Sequence, residues 1–399
     1  MSIQTELTRI TNAKAAIKTA IEGKGVTVPA GTLLDGMASL IDSIPAGSTP
    51  SLQSKSVTYT ANGTATITPD AGYDGLSSVD VTVDVSGGFP NGTEWTQSNI
   101  TSGDFKSAYN ANGIWVVASN PYGLYYSTDG KVWTQSNITS MGFNSVYNAN
   151  GIWVAGASKN GLYYSTDGKV WTQSNITSGA FYSVYNANGI WVAASYNEGL
   201  YYSTDGKVWT QSDVAKGIFY SVYNANGIWV TGGTGYGVYY STDGKTWTKS
   251  NIRSGALKSV YNANGIWVFA SDGNGLYYST DGKVWTQSNI TSGAFYSVYN
   301  ANGIWVAASY NKGLYYSTDG KVWTQSDTTS GTFNSVYNAN GIWVAGASQH
   351  GLYYSTDGKV WAQSNITSMT LHSVYNANGI WVASSIAHGL YYSVTWESS

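Results

Sequence analysis

The chain contains no cysteine, which removes disulfides, thiolate metal sites and cysteine nucleophiles together. Charge is scarce: Asp, Glu, Lys and Arg make up 10% of 399 residues, and the formal net charge is −3. No basic stripe or tail is available to neutralise phosphates, so nucleic acid is not an expected partner. No apolar run is long enough to cross a bilayer, and no membrane insertion is expected. The first twenty residues lack a signal peptide's apolar core. Histidine is limited to His350, His372 and His388, and arginine to Arg9 and Arg253. With so few ligands neither a metal nor a cofactor is expected. The chain is rich instead in Tyr (33), Trp (17) and Gly (47), the mixture of many short strands joined by tight turns.

These residues recur with a fixed period of 38. The tryptophans of GIWV stand at Trp115, Trp153, Trp191, Trp229, Trp267, Trp305, Trp343 and Trp381. The aspartates of STDG stand at Asp129, Asp167, Asp205, Asp243, Asp281, Asp319 and Asp357. A strict period in this range signals a repeat architecture. Within one copy, 180–185 alternates as a strand and Asn188-Gly189 supplies a turn that takes positive φ. Strands over 190–195, 200–203 and 207–211 follow, separated by 196–199 and by the STDG turn. Four antiparallel strands per repeat form the blade of a β-propeller, with Trp191, Leu200, Tyr201, Tyr202 and Trp209 filling both faces. NANGIW occurs eight times but STDGKxW only seven, and TEWTQS at 93–98 matches the missing last strand. The expected fold is therefore mainly β, an eight-bladed propeller over 89–399 closed by an N-terminal strand. Closure removes two sheet edges that an open array would expose.

Ahead of the repeats, residues 1–48 read as a helical attachment or oligomerisation segment, with helices over 1–23 and 32–44. Residues 51–86 read as a small β module, with a hairpin of 55–61 and 64–68 around Asn62-Gly63 and a further strand over 79–85. Asp70, Asp74, Asp80 and Asp84 lack EF-hand spacing and are read as solvated.

Two resemblances accompany these readings. ELTRITNAKAAIKTAIEGKGVTVPAGTLLDGMASLIDSI resembles the N-terminal segment of tail and tail-fibre proteins of tailed bacteriophages, and the stretch from Ser51 to Val85 resembles a small β module of the same proteins. This implies a virion component assembled in the host cytoplasm, joined through residues 1–86 to other tail or baseplate proteins, as a homo-oligomer with a trimer favoured. STDGKVW is similar to the Asp-box (BNR-like) repeat, with one residue fewer before its glycine. Ser127, Asp129, Gly130 and Trp133 carry the match, and the resemblance implies that the seven aspartates are structural turn braces.

Asp-box propellers include glycosidases. Sialidases of that kind grip their substrate with three arginines, and only Arg253 lies in this propeller. Other glycosidases need two carboxylates at a fixed separation. Outside the boxes Glu94, Asp104, Glu198, Asp213, Asp272, Asp327 and Glu397 are spread over different blades. No catalytic residue is assigned and a non-enzyme is expected.

The eight copies differ in two segments. Between the second and third strands the varying residues include Tyr122, Lys159, Asn160, Tyr196, Asn197, Glu198, Tyr236, Asp272, Asn274, Tyr310, Asn311, Lys312, Gln349, His350 and His388. At the lead-in to the first strand they are Lys106, Asn144, Tyr182, Tyr220, Lys258, Tyr296, Asn334 and His372. In an up-and-down blade both segments lie at one end of the strands, with NANG and STDG at the other. Loop drift would also keep geometrically constrained turns constant, but it leaves the near-constant outer strand unexplained. These residues are expected to bind a ligand, with aromatic rings to stack on sugars and amides to bond hydroxyls. The expected function is adhesion by non-catalytic recognition of a host surface glycan, with a protein receptor also compatible. A purely structural tail component and a glycan-degrading enzyme are the alternatives.

Overall fold

The computed structural model describes residues 3–29, 52–59, 75–83, 92–253 and 255–393. The chain divides into two compact units, residues 1–89 with 396–399, and residues 90–395. In the first unit a helix runs from Ile3 to Glu22. Leu52–Tyr59 pairs with Gly75–Val83 in parallel, so this strand's partner is the later segment. The expected helix over 32–44 and the turn at 62–63 lie outside the described residues.

The second unit is a ring of eight antiparallel sheets, each ordered first to fourth strand from its inner edge outward. Blade one begins with Phe105–Ala111 and blade eight with Leu371–Ala377. The fourth strand of blade eight is Thr96–Gln97, which pairs with Leu390–Ser393 through Thr96↔Tyr392 and Gln97↔Tyr391. The N-terminal strand thus shuts the ring as the sequence count requires.

Every second strand is buried almost throughout, because its two faces meet different neighbours. In Ile114–Ser119, Trp115 and Val117 pack with Val382 and Leu390 of blade eight, while Val116 and Ala118 pack with Phe143 and Trp153 of blade two. The side-chain period of two is therefore present although the hydropathy pattern shows an unbroken apolar run. In the NANG turns Asn188 and Gly189 have φ of 53° and 79°, as the Asn-Gly pair predicts.

The fourth strand is shorter than the sequence suggests: Thr210–Gln211 rather than 207–211. Its missing residues have given their N–H groups elsewhere. Lys207 and Val208 donate to Asp205 Oδ1 at 2.8 and 2.9 Å, and Trp209 donates to Asn175 Oδ1 at 2.8 Å.

That last bond belongs to a latch between blades. Asn175 ends blade two, and its Nδ2 also donates to the Trp209 carbonyl at 2.9 Å, so one side-chain amide mimics a strand partner. Asn99, Asn137, Asn251 and Asn289 repeat the latch, and Asn365 closes it across the chain ends onto Trp95. At two seams the residue is aspartate. Asp213 and Asp327 only accept, at 3.1 and 3.2 Å, from Trp247 and Trp361. Those two tryptophans are each 7% exposed, against 3–4% for the other six.

At the inner edge, Tyr109, Tyr147, Tyr185, Tyr223, Tyr261, Tyr299, Tyr337 and Tyr375 form a closed circle. Successive ring centroids are 4.6–5.5 Å apart, with Tyr375 returning to Tyr109. Burial raises the phenols of Tyr147, Tyr223, Tyr299 and Tyr375 above their ordinary value. This circle is the hub that fixes the blade spacing.

Restoring the latch is a direct test of its contribution. Asp213→Asn regains a donor toward the Trp247 carbonyl and is expected to raise unfolding stability by about 0.5–1.5 kcal/mol, measured by urea denaturation. An unchanged or lowered midpoint contradicts the latch.

Candidate functional site: the variable face of the ring

The repeated aspartates belong to the scaffold. Ser203 Oγ donates to Asp205 Oδ1 at 2.9 Å and accepts from Gly206 N at 2.9 Å, while the same carboxylate oxygen takes the two N–H groups described above. The equivalent bonds form around Asp129, Asp167, Asp243, Asp281, Asp319 and Asp357. Burial alone would raise the Asp243 carboxyl. The hydrogen bonds from Thr246 and Lys245 N–H and from the Ser241 and Thr246 hydroxyls outweigh it and lower the pKa to about 2.

At the other end of the strands the two varying segments are joined by backbone hydrogen bonds. Asn120 N donates to the Asp104 carbonyl at 2.8 Å, Ser158 N to Gly142 at 2.7 Å, Tyr310 N to Ala294 at 2.8 Å and Ile386 N to Thr370 at 2.9 Å. The positions that disagree between copies therefore share one face.

The lead-in residues form a second circle, above the tyrosine hub. In seven blades strand pairing slips at this residue, as between Phe181 and Ser183, and the bulge places Tyr182 and its equivalents on the inner edge. In blade four the first strand is Ser221–Ala225, and Gly217–Ile218 before it pairs instead with the second strand of blade three. All eight members, Lys106, Asn144, Tyr182, Tyr220, Lys258, Tyr296, Asn334 and His372, are half-buried.

Side chains of neighbouring blades touch around this circle. The Tyr182 ring is 5.4 Å from Tyr220 and 6.0 Å from Tyr196. Lys258 Nζ sits 3.8 Å from the Tyr220 ring centre and 3.4 Å from Asp272. Tyr296 lies 5.9 Å from Tyr310. Across the closing seam, Lys106 Nζ is 2.8 Å from both His372 Nε2 and Asp104. Burial would raise the Asp104 carboxyl, but His372 and Lys106 bring it below its ordinary value. The face thus carries an aromatic shelf with one cation on blades three to five, and a charged cluster on blades eight and one.

Several candidate residues have structural tasks. Asn144 and Asn334 donate to the Phe181 and Leu371 carbonyls of the next blade at 3.2 and 2.8 Å. Asn197, Asn311 and Gln349 hold positive φ of 74°, 65° and 64° and shape their loops. His350 and His388 donate from Nδ1 to Ser348 and Ile386 carbonyls, both at 2.8 Å. Glu198 accepts from Tyr201 Oη at 3.4 Å. Tyr122, Tyr196, Tyr236 and Tyr310 are 40–49% exposed. Lys159, Asn160, Asn274 and Lys312 are exposed on the loop tips, as is Asp272.

The constancy of the outer strand also has a structural cause. The glutamine side chain of TQS donates to the loop carbonyl before the third strand in seven blades: Gln97 to His388, Gln135 to Tyr122, Gln173 to Asn160, Gln211 to Glu198, Gln287 to Asn274, Gln325 to Lys312 and Gln363 to His350. The turn lysines lie over tyrosines of the preceding blade, as Lys207 does over Tyr164 at 5.8 Å. Nothing in the structure explains why the strand's threonine recurs.

No protein-family model and no curated protein matches the chain. Solved structures share its fold. The computationally designed Ika8 protein superposes with a TM-score of 0.63 over 76% of this chain and 99% of its own, at 10% identity. BamB from Moraxella catarrhalis gives 0.59 over 76% and 100%, at 9% identity. A Niastella koreensis GH74 enzyme gives 0.47 over 72% and 48%, at 20% identity. The first two likenesses show shape alone, and the propeller fold by itself marks neither an enzyme nor a non-enzyme.

The turn chemistry predicts an acid response. The folded Asp243 carboxyl lies below its ordinary value of 3.8, so its contribution is present above that value and is lost as pH falls to about 2. Asp243→Ala is expected to lower the melting temperature at neutral pH and to flatten its fall between those limits. A variant whose melting temperature parallels the wild type at every pH contradicts the brace.

Proposed function

We propose that the chain is an adhesion protein of a phage-tail type that holds a host surface glycan non-catalytically on the variable face of its propeller. The observation that carries this reading is the gathering of the non-repeated side chains on one face, where tyrosines from several blades stand together. Aromatic rings such as Tyr182, Tyr196 and Tyr220 suit the apolar faces of sugars, and Lys258 with the loop amides and hydroxyls suits their hydroxyl groups. The similarity of residues 1–86 to tail-protein segments supports reading the chain as a virion component, and that of STDGKVW to Asp-box repeats supports reading the repeated turns as scaffold. Attachment through residues 1–86 to tail or baseplate proteins, a trimeric assembly and a virion location are parts of the same proposal. A protein receptor would use the same surface.

The glutamine and lysine contacts of the outer strand favour a second reading, a structural tail component. They account for part of the constancy without any ligand.

Binding of the full chain to an array of bacterial surface glycans separates the two. Retention of one or a few glycans is expected, together with a loss of at least about tenfold in Tyr196→Ala/Tyr236→Ala/Tyr310→Ala at unchanged melting temperature. A blank array, or full binding by the triple variant, refutes adhesion through this face. Shortened glycan products would reveal an enzyme.

A further inference from the structure

Seven of the eight seams between blades are plugged from the variable face by one apolar residue, placed directly after the latch. Ile100, Ile138, Ile176, Val214, Ile252, Ile290 and Ile366 each pack into the apolar cluster of their seam. At the seam between blades six and seven the sequence reads Asp327-Thr328, where six others read Asn-Ile and one reads Asp-Val, and the cluster there contains no such side chain. A half-open cavity of about 330 Å³ occupies the place of the plug, floored by Phe333, Tyr353 and Trp361 and rimmed by Asp327, Thr328 and His350.

The rim is polar and held in place. The Asp327 carboxylate accepts from Trp361 N and, at 3.4 Å, from the Thr328 hydroxyl. His350 Nδ1 is taken by the Ser348 carbonyl, so Nε2 is the nitrogen left for a ligand. The His350 carbonyl is fixed by Gln363 at 2.7 Å and Gln349 N by the Thr370 hydroxyl at 3.0 Å, so the loop is set before any ligand arrives. A carboxylate and imidazole together with hydroxyls ask for a ligand rich in O–H donors, and the aromatic floor asks for one with an apolar face. No Lys or Arg lines the cavity, and its carboxylate opposes an anion. The volume lies near the lower limit for small-molecule sites, about 300–1,000 Å³, which suits one sugar ring rather than a chain.

We propose that this seam is a pocket for one neutral hexopyranose unit, so that the eightfold ring carries a single such site. The proposal rests on the glycan reading of this face and adds to it the class of sugar and the stoichiometry. The site arises because the plug is missing, so the sharpest variant restores it: Thr328→Ile, which copies a residue present at six other seams and is expected to fold with equal or greater stability.

Saturation-transfer NMR on the full chain, with the methyl glycosides of glucose, galactose, mannose and N-acetylglucosamine as probes, tests the pocket. At least one is expected to receive saturation from the wild type at one site per chain, with affinity at least about tenfold lower in Thr328→Ile. Equal binding by Thr328→Ile, or no transfer to any of the four, overturns the proposal. If the array signal depends on Tyr196, Tyr236 and Tyr310 while no glycoside is taken up, the pocket falls and the face reading stands. If the array is blank while uptake is sensitive to Thr328→Ile, the face reading falls and the pocket stands.

Discussion

Closing a ring of near-identical sheets requires each blade to be buried on both faces at once. The second strand meets this with alternate side chains to alternate neighbours: Trp191 and Ala193 toward blade two, Val192 and Ala194 toward blade four. Burial at about 25 cal/mol per Å² gives each seam its main stabilisation, but burial is non-directional and would tolerate sliding of one blade on the next. Direction comes from the polar latches. Asn175 pairs with both backbone groups of Trp209, and Ser145 Oγ on the innermost strand accepts from Val184 N at 3.2 Å. The tyrosine hub repeats the same spacing at the axis. Seam, latch and hub recur with one geometry, and a repeat unit of constant length is the consequence.

That constraint divides the residues into two sets. A side chain that serves a seam, a latch or a turn is mostly repeated, because altering it disturbs one of eight equivalent interfaces, and the exceptions at Asp213, Asp327 and Thr328 each weaken or open their own seam. A side chain beyond the reach of the seam is free to differ. The freedom is bounded even in the loops, since a side chain at Gly199 would overlap the Val214 carbonyl and the glycine before each third strand is held by the next connection. What remains is a set of positions around the axis and on the loop tips. There the aromatic shelf of Tyr182, Tyr196 and Tyr220 and the cluster of Asp104, Lys106 and His372 give different blades different chemistry on a common frame.

Much of the frame was legible in the sequence, and the reasons are physical. The period, the positive-φ Asn-Gly turns and the match of Trp95 to Trp133 depend on residue types that few backbone geometries accept, so position alone reveals them. Side chains that bond to backbone were harder to read. The fourth strand is short because Asp205 and Asn175 take its N–H groups, and hydropathy carries no trace of that. Tyr185 read as an ordinary strand residue, since only ring closure brings it to Tyr147 and Tyr223. Asn144 and Asn334 vary between copies and so resembled ligand contacts, although their amides hold the next blade. As a sequence Asp327 is one of several scattered carboxylates, whereas its neighbour Thr328 marks the more informative departure, visible once the residue after the latch is compared across seams.

The central claim is that the repeated residues build the ring and the departures from repetition do its work. A symmetrised chain tests it most directly: every lead-in and every loop between second and third strands is replaced by those of blade two, residues 142–144 and 158–160, and the departing seam is filled by Thr328→Ile, with all repeated positions untouched. The account predicts a closed eight-bladed ring that unfolds cooperatively at or above the wild-type temperature and retains no glycan on the array. A chain that fails to fold, or one that still binds the wild-type glycans, would contradict it.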